Sequence, residues 1–311
     1  MIDEVKLKVA IIGTGSMASN YSRVFKSNES PFLLSCIIGR KERLPSWQKD
    51  SFSDVPYCDG VINFTSLDKM DMVVVAVSES SIMEVVLSLT SFCGLILLEK
   101  PVGRNLNEFL KIKEIAKEFK LNIRVALNRR HYETIEHTRS MKGSGSFLVQ
   151  DQQGTSEFSS NRLQAIGREN IPYANSIHLI DSVLHIAGAL SYEILEPIFV
   201  SGPGLYTGRA LINKNQVLTY VLAWEVPGPW SISCFYENYH CDLRPIEKLV
   251  VKDSERNVLM ELEESNTFKP GILNMVNEAA QLISQGESRL ATLDNCFLSA
   301  SLTSELITIG N

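Results

Sequence analysis

VAIIGTGSMA, residues 9 to 18, is the stretch whose reading decides the fold. The apolar run from Leu7 to Ile12 has the length and composition of a buried strand. It breaks at Gly13 and Gly15, and the small residue Ala18 follows, which is the G-x-G-x-x-A spacing of a dinucleotide-binding turn. Each position has a mechanical task. Gly13 permits the tight turn, Gly15 lets bare backbone approach a pyrophosphate, and Ala18 keeps the next helix close to the sheet. A helix opening near Ser16 then points unpaired N–H groups and the positive end of its dipole at the phosphates. The strand before and the amphipathic segment after lift this pattern above a chance glycine turn. Gly13, Gly15, Ser16 and Met17 are therefore the first candidates for cofactor binding.

Working outward, the run Phe32 to Ile38 reads as a second buried strand, ending at Gly39-Arg40-Lys41. NAD-selective sites place an acid near this point, where it accepts hydrogen bonds from the adenosine ribose and repels a 2′-phosphate. Arg40 and Lys41 instead suit that phosphate through charge-assisted bonds, so NADP is expected, with NAD as the alternative because Glu42 stands beside them. A short strand is expected near Val61 to Phe64, and a stronger one at Asp71 to Val77. Ser78 to Ser81 open a helix reaching about Phe92. Strand Gly94 to Leu98 then delivers Glu99-Lys100-Pro101, and a helix, Leu106 to Lys120, and a strand, Asn122 to Leu127, follow. Strands and helices alternating at this spacing form a doubly wound parallel sheet, whose ligands lie at the carboxyl ends of the strands. Ser78, Glu99, Lys100 and Asn128 fall at such ends.

From residue 129 the texture changes. A helix-like segment, His131 to Met141, leads through a GSGS turn to a strand, Phe147 to Gln153, and a helix is expected from about Ser176 to Ala189. β-rich runs follow at 192–200, 209–213, 217–224, 231–236 and 247–251, with helices near 271–284 and 293–307 closing the sequence. The chain thus reads as an α/β protein: a Rossmann domain over residues 1–128, and an α/β domain with an open, mainly antiparallel sheet over 129–311. The free face of that second sheet is a candidate surface for self-association.

Composition narrows the function. Hydrophobic content of 44% and charged content of 21% over 311 residues describe a globular chain long enough for two cores. A net charge of −6 argues against nucleic acid as a partner. No apolar run approaches membrane-spanning length, and the first strand begins too early to leave room for a signal peptide, so a cytoplasmic protein is expected. The six cysteines form no C-x-x-C pair and read as reduced thiols.

Two places carry chemistry. Lys100, at a strand end beside the expected nicotinamide, suits proton exchange with a hydroxyl once it is partly desolvated. In NSIHLIDSVLHIAG, His178, Asp181 and His185 recur at i, i+3 and i+7, on one helical stripe. That stripe presents a candidate catalytic imidazole at His178, with Asp181 to orient it or to occupy an adjacent site. His-x-x-Asp without a third ligand is poor ground for a metal, and none is expected. Arg129, Arg130, Arg162 and Arg168 supply a possible anion patch, with plain solvation the expected role for most of them.

Taken together, Gly13-Thr14-Gly15-Ser16-Met17-Ala18, Glu99-Lys100-Pro101, Asn128-Arg129-Arg130, His178-Leu179-Ile180-Asp181 and Phe268-Lys269-Pro270-Gly271 resemble the Gfo/Idh/MocA family, the glucose-fructose oxidoreductase and inositol dehydrogenase relatives. The resemblance implies hydride transfer between a nicotinamide cofactor and a sugar, cyclitol or sugar nucleotide bound between the domains. It also implies assembly as a homodimer or homotetramer. Lys100 would touch substrate and nicotinamide ribose, with a cis bond at Pro101, and His178 would exchange a proton with the reacting oxygen. Two departures stand out. Many members carry an acid four residues before the histidine, where this chain has Ala174. The loop after the fourth strand reads Ser78-Glu79, with Ile82 in place of a histidine. The first departure keeps open a catalytically weak, nucleotide-sensing protein. A reductase of a non-sugar carbonyl or pigment on the same fold is a third reading.

Overall fold

A computed structural model describes residues 6–40, 54–60, 67, 69–141, 143, 145–154 and 167–310. The chain divides into two units, Met1–Asn128 with Asn266–Asp294, and Arg129–Ser265 with Asn295–Asn311.

In the first unit, mostly short apolar runs, clearest in LKVAII, MVVV and LILLE, become the strands of a largely buried parallel sheet. These are β1 (Leu7–Ile12), β2 (Phe32–Gly39), β3 (Tyr57–Asp59), β4 (Met72–Val75), β5 (Leu95–Glu99) and β6 (Asn122–Ala126), all paired in parallel. The helices are α1 (Ser16–Phe25), α2 (Ile82–Ser88) and α3 (Leu106–Glu118). Strand order runs β6-β5-β4-β1-β2-β3, so direction of travel reverses between β1 and β4. In a doubly wound sheet that reversal opens a crevice at the carboxyl ends of the two strands. The loop after β1 carries Gly13, and the loop after β4 carries Ser78.

The third strand is β3 at Tyr57–Asp59. The run expected near Val61 to Phe64 lies outside the described residues.

One boundary needs correction. Residues 266–294, expected in the second domain, belong to the first unit. The reason is the apolar stripe of helix α6 (Ile272–Gln285), whose Ile272, Met275, Val276 and Ala279 join the core formed by Val9, Tyr21, Phe25 and Phe32. Burying a side chain of that size contributes about 1.5–3 kcal/mol, enough to hold the returning segment on the sheet. A two-residue strand, β16 (Ala291–Thr292), then adds antiparallel to β6.

The second unit contains helices α4 (Glu133–Ser140) and α5 (Ile177–Ile186) and most of α7 (Leu293–Leu306), with an eight-stranded sheet. Its strands are β7 (Ser146–Gln153), β8 (Tyr192–Glu196), β10 (Gly204–Ile212), β11 (Gln216–Trp224), β12 (Ser231–Phe235), β13 (Tyr239–Leu243), β14 (Lys248–Asp253) and β15 (Val258–Glu263). β7 and β11 pair in parallel and every other pair is antiparallel. β7 alternates in and out over its whole length, so Phe147, Val149, Asp151 and Gln153 face inward toward the core of α5. A small separate pair joins β9 (Ile198–Val200) to β17 (Ile307–Ile309). Among the described residues no helix is long and apolar enough to cross a membrane. All six cysteines are free thiols.

Candidate active site

The glycine turn is built as its spacing demands. Gly13 has φ +124°, and a Cβ there would collide with the backbone carbonyl of Ala76 on the neighbouring strand exit. Its N–H donates to Ile38 O at 2.8 Å, so the turn is strapped to β2 as well. Gly15 is the opposite case: a Cβ built on it meets nothing within 4 Å, and the open space beside it is what close approach of a pyrophosphate requires. Gly15 also caps α1 without any side-chain acceptor, and the first turn contains no acid. The helix therefore presents N–H donors and a positive dipole end with no anionic side chain of its own to satisfy them, which fits a dinucleotide phosphate.

Around this turn the first unit places the other expected residues. Ser78 lies exposed at the exit of β4, its Oγ 3.2 Å from those of Ser80 and Ser81. Arg40 is exposed at the exit of β2, and its carbonyl accepts a 2.7 Å bond from Tyr57 Oη, which fixes the backbone from which the side chain projects. Lys41 lies outside the described residues. Lys100 is half-buried at the end of β5, and the Lys100–Pro101 bond is cis, as the resemblance implies.

Two expected cofactor residues have structural partners. The buried carboxylate of Glu99 accepts a 2.7 Å bond from Tyr21 Oη, tying the end of β5 to α1; burial first, then the Glu99 charge, pushes the Tyr21 phenol well above its usual range. Asn128 donates through Nδ2 to Pro270 O at 3.0 Å, and so holds the returning segment against β6. That segment also sets Lys269 Nζ 3.0 Å from Met17 Sδ, beside the glycine turn.

In the second unit, a π turn at Pro172–Ser176 runs directly into α5 and sets the face on which His178 stands. Such wide turns recur at functional sites. His178 is 6% exposed, and its ring centroid lies 6.3 Å from that of Trp230, tilted by 49°. Asp181, three residues on, is fully engaged. Arg130 Nε donates to Oδ2 at 2.7 Å and Nη2 to Oδ1 at 2.6 Å, while Ser299 Oγ donates to Oδ1 at 2.6 Å. Burial pulls the Arg130 guanidinium down, but the charge and hydrogen bonds of Asp181 outweigh it and hold its pKa above the ordinary value. His185 Nε2 stands 2.7 Å from Glu136 Oε1. The stripe of three polar residues legible in the sequence is thus divided among three separate partners.

Sequence reasoning missed a polar chain on the inner face of this sheet. Tyr220 Oη donates to Asp151 Oδ2 at 2.6 Å, Gln153 Nε2 donates to Asp151 Oδ1 at 2.5 Å, and Asn175 Nδ2 donates to Gln153 Oε1 at 2.9 Å. Burial raises the Asp151 pKa above the usual carboxylate value. The signal was present in FLVQDQQG: an acid at an inward position of an alternating strand must find partners inside. Trp230 was also missed, because a single tryptophan in VPGPW carries no periodicity. Among the described residues no group of three or more His, Cys, Asp or Glu side chains is arranged to hold a metal ion.

Comparison with known proteins agrees with this architecture. Residues 7–127 match the Gfo/Idh/MocA model, described as an oxidoreductase family with an NAD-binding Rossmann fold. No curated protein sequence matches the chain. Solved structures do. The dehydrogenase MviM from Clostridium difficile superposes with a TM-score of 0.79 at 15% identity, covering 96% of this chain and 97% of that one. UDP-N-acetylglucosamine 3-dehydrogenase GnnA from Acidithiobacillus ferrooxidans gives 0.77 at 13% identity, with 96% of each chain covered. A super-repressor mutant of Gal80p from Saccharomyces cerevisiae gives 0.78 at 14% identity, covering 96% of this chain and 94% of that one. At these identities the likeness is one of fold.

Proposed function

We propose that this chain, whose residues 7–127 match the Gfo/Idh/MocA model of NAD-binding oxidoreductases, transfers hydride between a nicotinamide cofactor and a carbinol carbon of a sugar, cyclitol or sugar nucleotide. The observation that carries this reading is the Gly13–Gly15 turn, with open space at Gly15 and an uncapped helix terminus behind it.

Gly13, Gly15, Ser16 and Met17 hold the pyrophosphate through backbone N–H groups, and Ser78 borders it from the exit of β4. Arg40, joined by Lys41, favours NADP over NAD by offering positive charge to a 2′-phosphate. Glu99 and Asn128 act as positioning residues through Tyr21 and Pro270. When bound, the nicotinamide supplies or accepts the hydride. Lys100 contacts the substrate oxygen and the cofactor ribose, and His178 takes the hydroxyl proton on oxidation or returns it on reduction. Asp181, with both oxygens already engaged, sets the place of α5 through Arg130 and Ser299 and does not touch substrate. The protein works in the cytoplasm, as a dimer or tetramer assembled through the open sheet of the second unit.

Ala174 favours a second reading. It is buried in the π turn at the place where many relatives carry an acid, and a chain that kept the cofactor site without turnover would sense the nucleotide. Titration with NADPH and NADH, followed by a turnover screen of sugars, cyclitols and sugar nucleotides, separates the two. Tight NADPH binding with turnover supports the enzyme. Binding with no turnover across the screen supports the sensor, and no binding of either nucleotide removes both.

A further inference from the structure

Arg129 and Arg130 are neighbours in one short turn, Asn128–His131, yet their guanidinium groups fare differently. Arg130 is saturated by Asp181. Arg129 has no carboxylate within ion-pair distance among the described residues, and its Nε is enclosed without a hydrogen-bond partner. Burial lowers its pKa, and Tyr132, Glu247 and Asp151 act on it only through space. What it does touch is aromatic: its guanidinium carbon lies 4.8 Å from the ring centroid of Trp230. The other arginine of the expected patch with described structure, Arg168, lies over a different indole, Trp224, at 5.7 Å.

Trp230 is itself held in place. Its Nε1 donates to Gln152 O at 3.2 Å. With its amide turned to satisfy both ends, Gln152 donates to Pro229 O at 3.0 Å and Gly228 O at 3.2 Å, clamping the loop that carries the indole to β7. A Cβ at Gly228 would overlap that amide, so the loop depends on a glycine there. The same indole neighbours the His178 imidazole at 6.3 Å. A guanidinium held over a fixed aromatic surface, with its Nε donor unspent, is pre-organised for a planar or tetrahedral oxyanion. An orphaned buried donor in a folded protein calls for such a partner.

We propose that Arg129, supported on Trp230 beside His178, is a recognition site for an anionic group, carboxylate or phosphate, on the substrate. This deepens the oxidoreductase reading and rests on it for His178: the substrate is an acidic sugar derivative rather than a neutral sugar or cyclitol.

The test uses the full-length protein saturated with NADPH and titrated with glucose, glucuronate and glucose 6-phosphate, followed by calorimetry. At least one anionic probe is expected to bind ten-fold or more tighter than glucose. Glucuronate and glucose 6-phosphate distinguish carboxylate from phosphate. In Arg129→Met that preference falls at least ten-fold while NADPH affinity and glucose binding stay unchanged, and Arg129→Lys restores part of it. Equal binding of charged and neutral probes by the wild type, binding of neither, or a preference that survives Arg129→Met would overturn the proposal. Because the wild-type comparison alone can refute it, a variant that fails to fold does not shelter it. Failure of NADPH to bind at all would instead refute the oxidoreductase reading.

Discussion

Arg130 and Asp181, 51 positions apart, meet in the interior of the second unit as an ion pair joined by two hydrogen bonds of 2.7 and 2.6 Å. Removing one partner strands a buried charge, at a cost of about 3–5 kcal/mol. Arg130→Met is therefore expected to lower unfolding free energy in urea by about that much, and Asp181→Asn by a smaller amount, since its amide still accepts from Ser299. Pairing Arg130→Met with Asp181→Leu should recover most of the loss. A single variant as stable as wild type would contradict the assignment of Asp181 to an anchoring role.

The two glycines of the first loop should respond in opposite ways. Gly13→Ala sets a Cβ against the Ala76 carbonyl at a backbone angle that alanine resists, so thermal stability should drop together with nucleotide binding. Gly15 has φ −85° and ψ −173°, which any residue adopts, and faces open space. Gly15→Val should melt like wild type yet bind NADPH at least ten-fold more weakly, because the branched side chain fills the approach to the N–H groups. Undiminished binding by Gly15→Val would mean that the phosphates lie elsewhere.

Arg40 is exposed and its fold contact is made by its carbonyl, so truncating the side chain should leave stability unchanged. Arg40→Ala is expected to weaken NADPH binding by roughly ten-fold, the scale of one charge-assisted contact, with NADH unaffected. Equal losses for both nucleotides would place Arg40 away from the 2′-phosphate.

Asp151 supplies a pH signature. Burial holds its carboxyl pKa above the ordinary 3.8 in the folded protein. Over the interval between that value and the raised one, the native state keeps a proton that the unfolded chain has released. Stability contributed by this group is therefore present below the unfolded pKa and falls as pH rises through the interval. Glu264, whose pKa burial also raises, acts in the same direction. Urea unfolding from pH 4 upward, compared between wild type and Asp151→Asn, should give a difference that grows in favour of the variant as pH rises. A difference that stays constant would show that Asp151 is ionised in the folded state throughout.

Much of the first unit was legible because its signals are local. An apolar run followed by Gly13 and Gly15 specifies strand, turn and helix within ten residues, and Lys100 stands directly after the fifth strand, where the sequence placed it. What escaped depends on contacts distant in sequence. Nothing around Ile272 says that its helix returns to the core of Phe25 and Phe32. β15, VLMELE, was missed because an edge strand with two acids is exposed through much of its length. Asp181 looked like a partner for His178 because helical spacing is visible in a sequence, whereas Arg130 and Ser299 reach it from other elements. The Arg129–Trp230 contact belongs to the same class: both residues are plain in the sequence, and only folding brings an indole under that guanidinium.

The claim at the centre of this account is that Lys100 serves hydride chemistry on a nucleotide held by the Gly13 loop. The most direct measurement compares wild type with Lys100→Ala, reading NADPH affinity by fluorescence and consumption of the reduced nicotinamide by absorbance across acidic and neutral sugar derivatives. Wild type should bind and turn over, and the variant should bind with unchanged affinity and lose at least a hundred-fold in rate. A Lys100→Ala variant that turns over as fast as wild type, or a wild type that binds NADPH and consumes none of it with any substrate, would contradict the account.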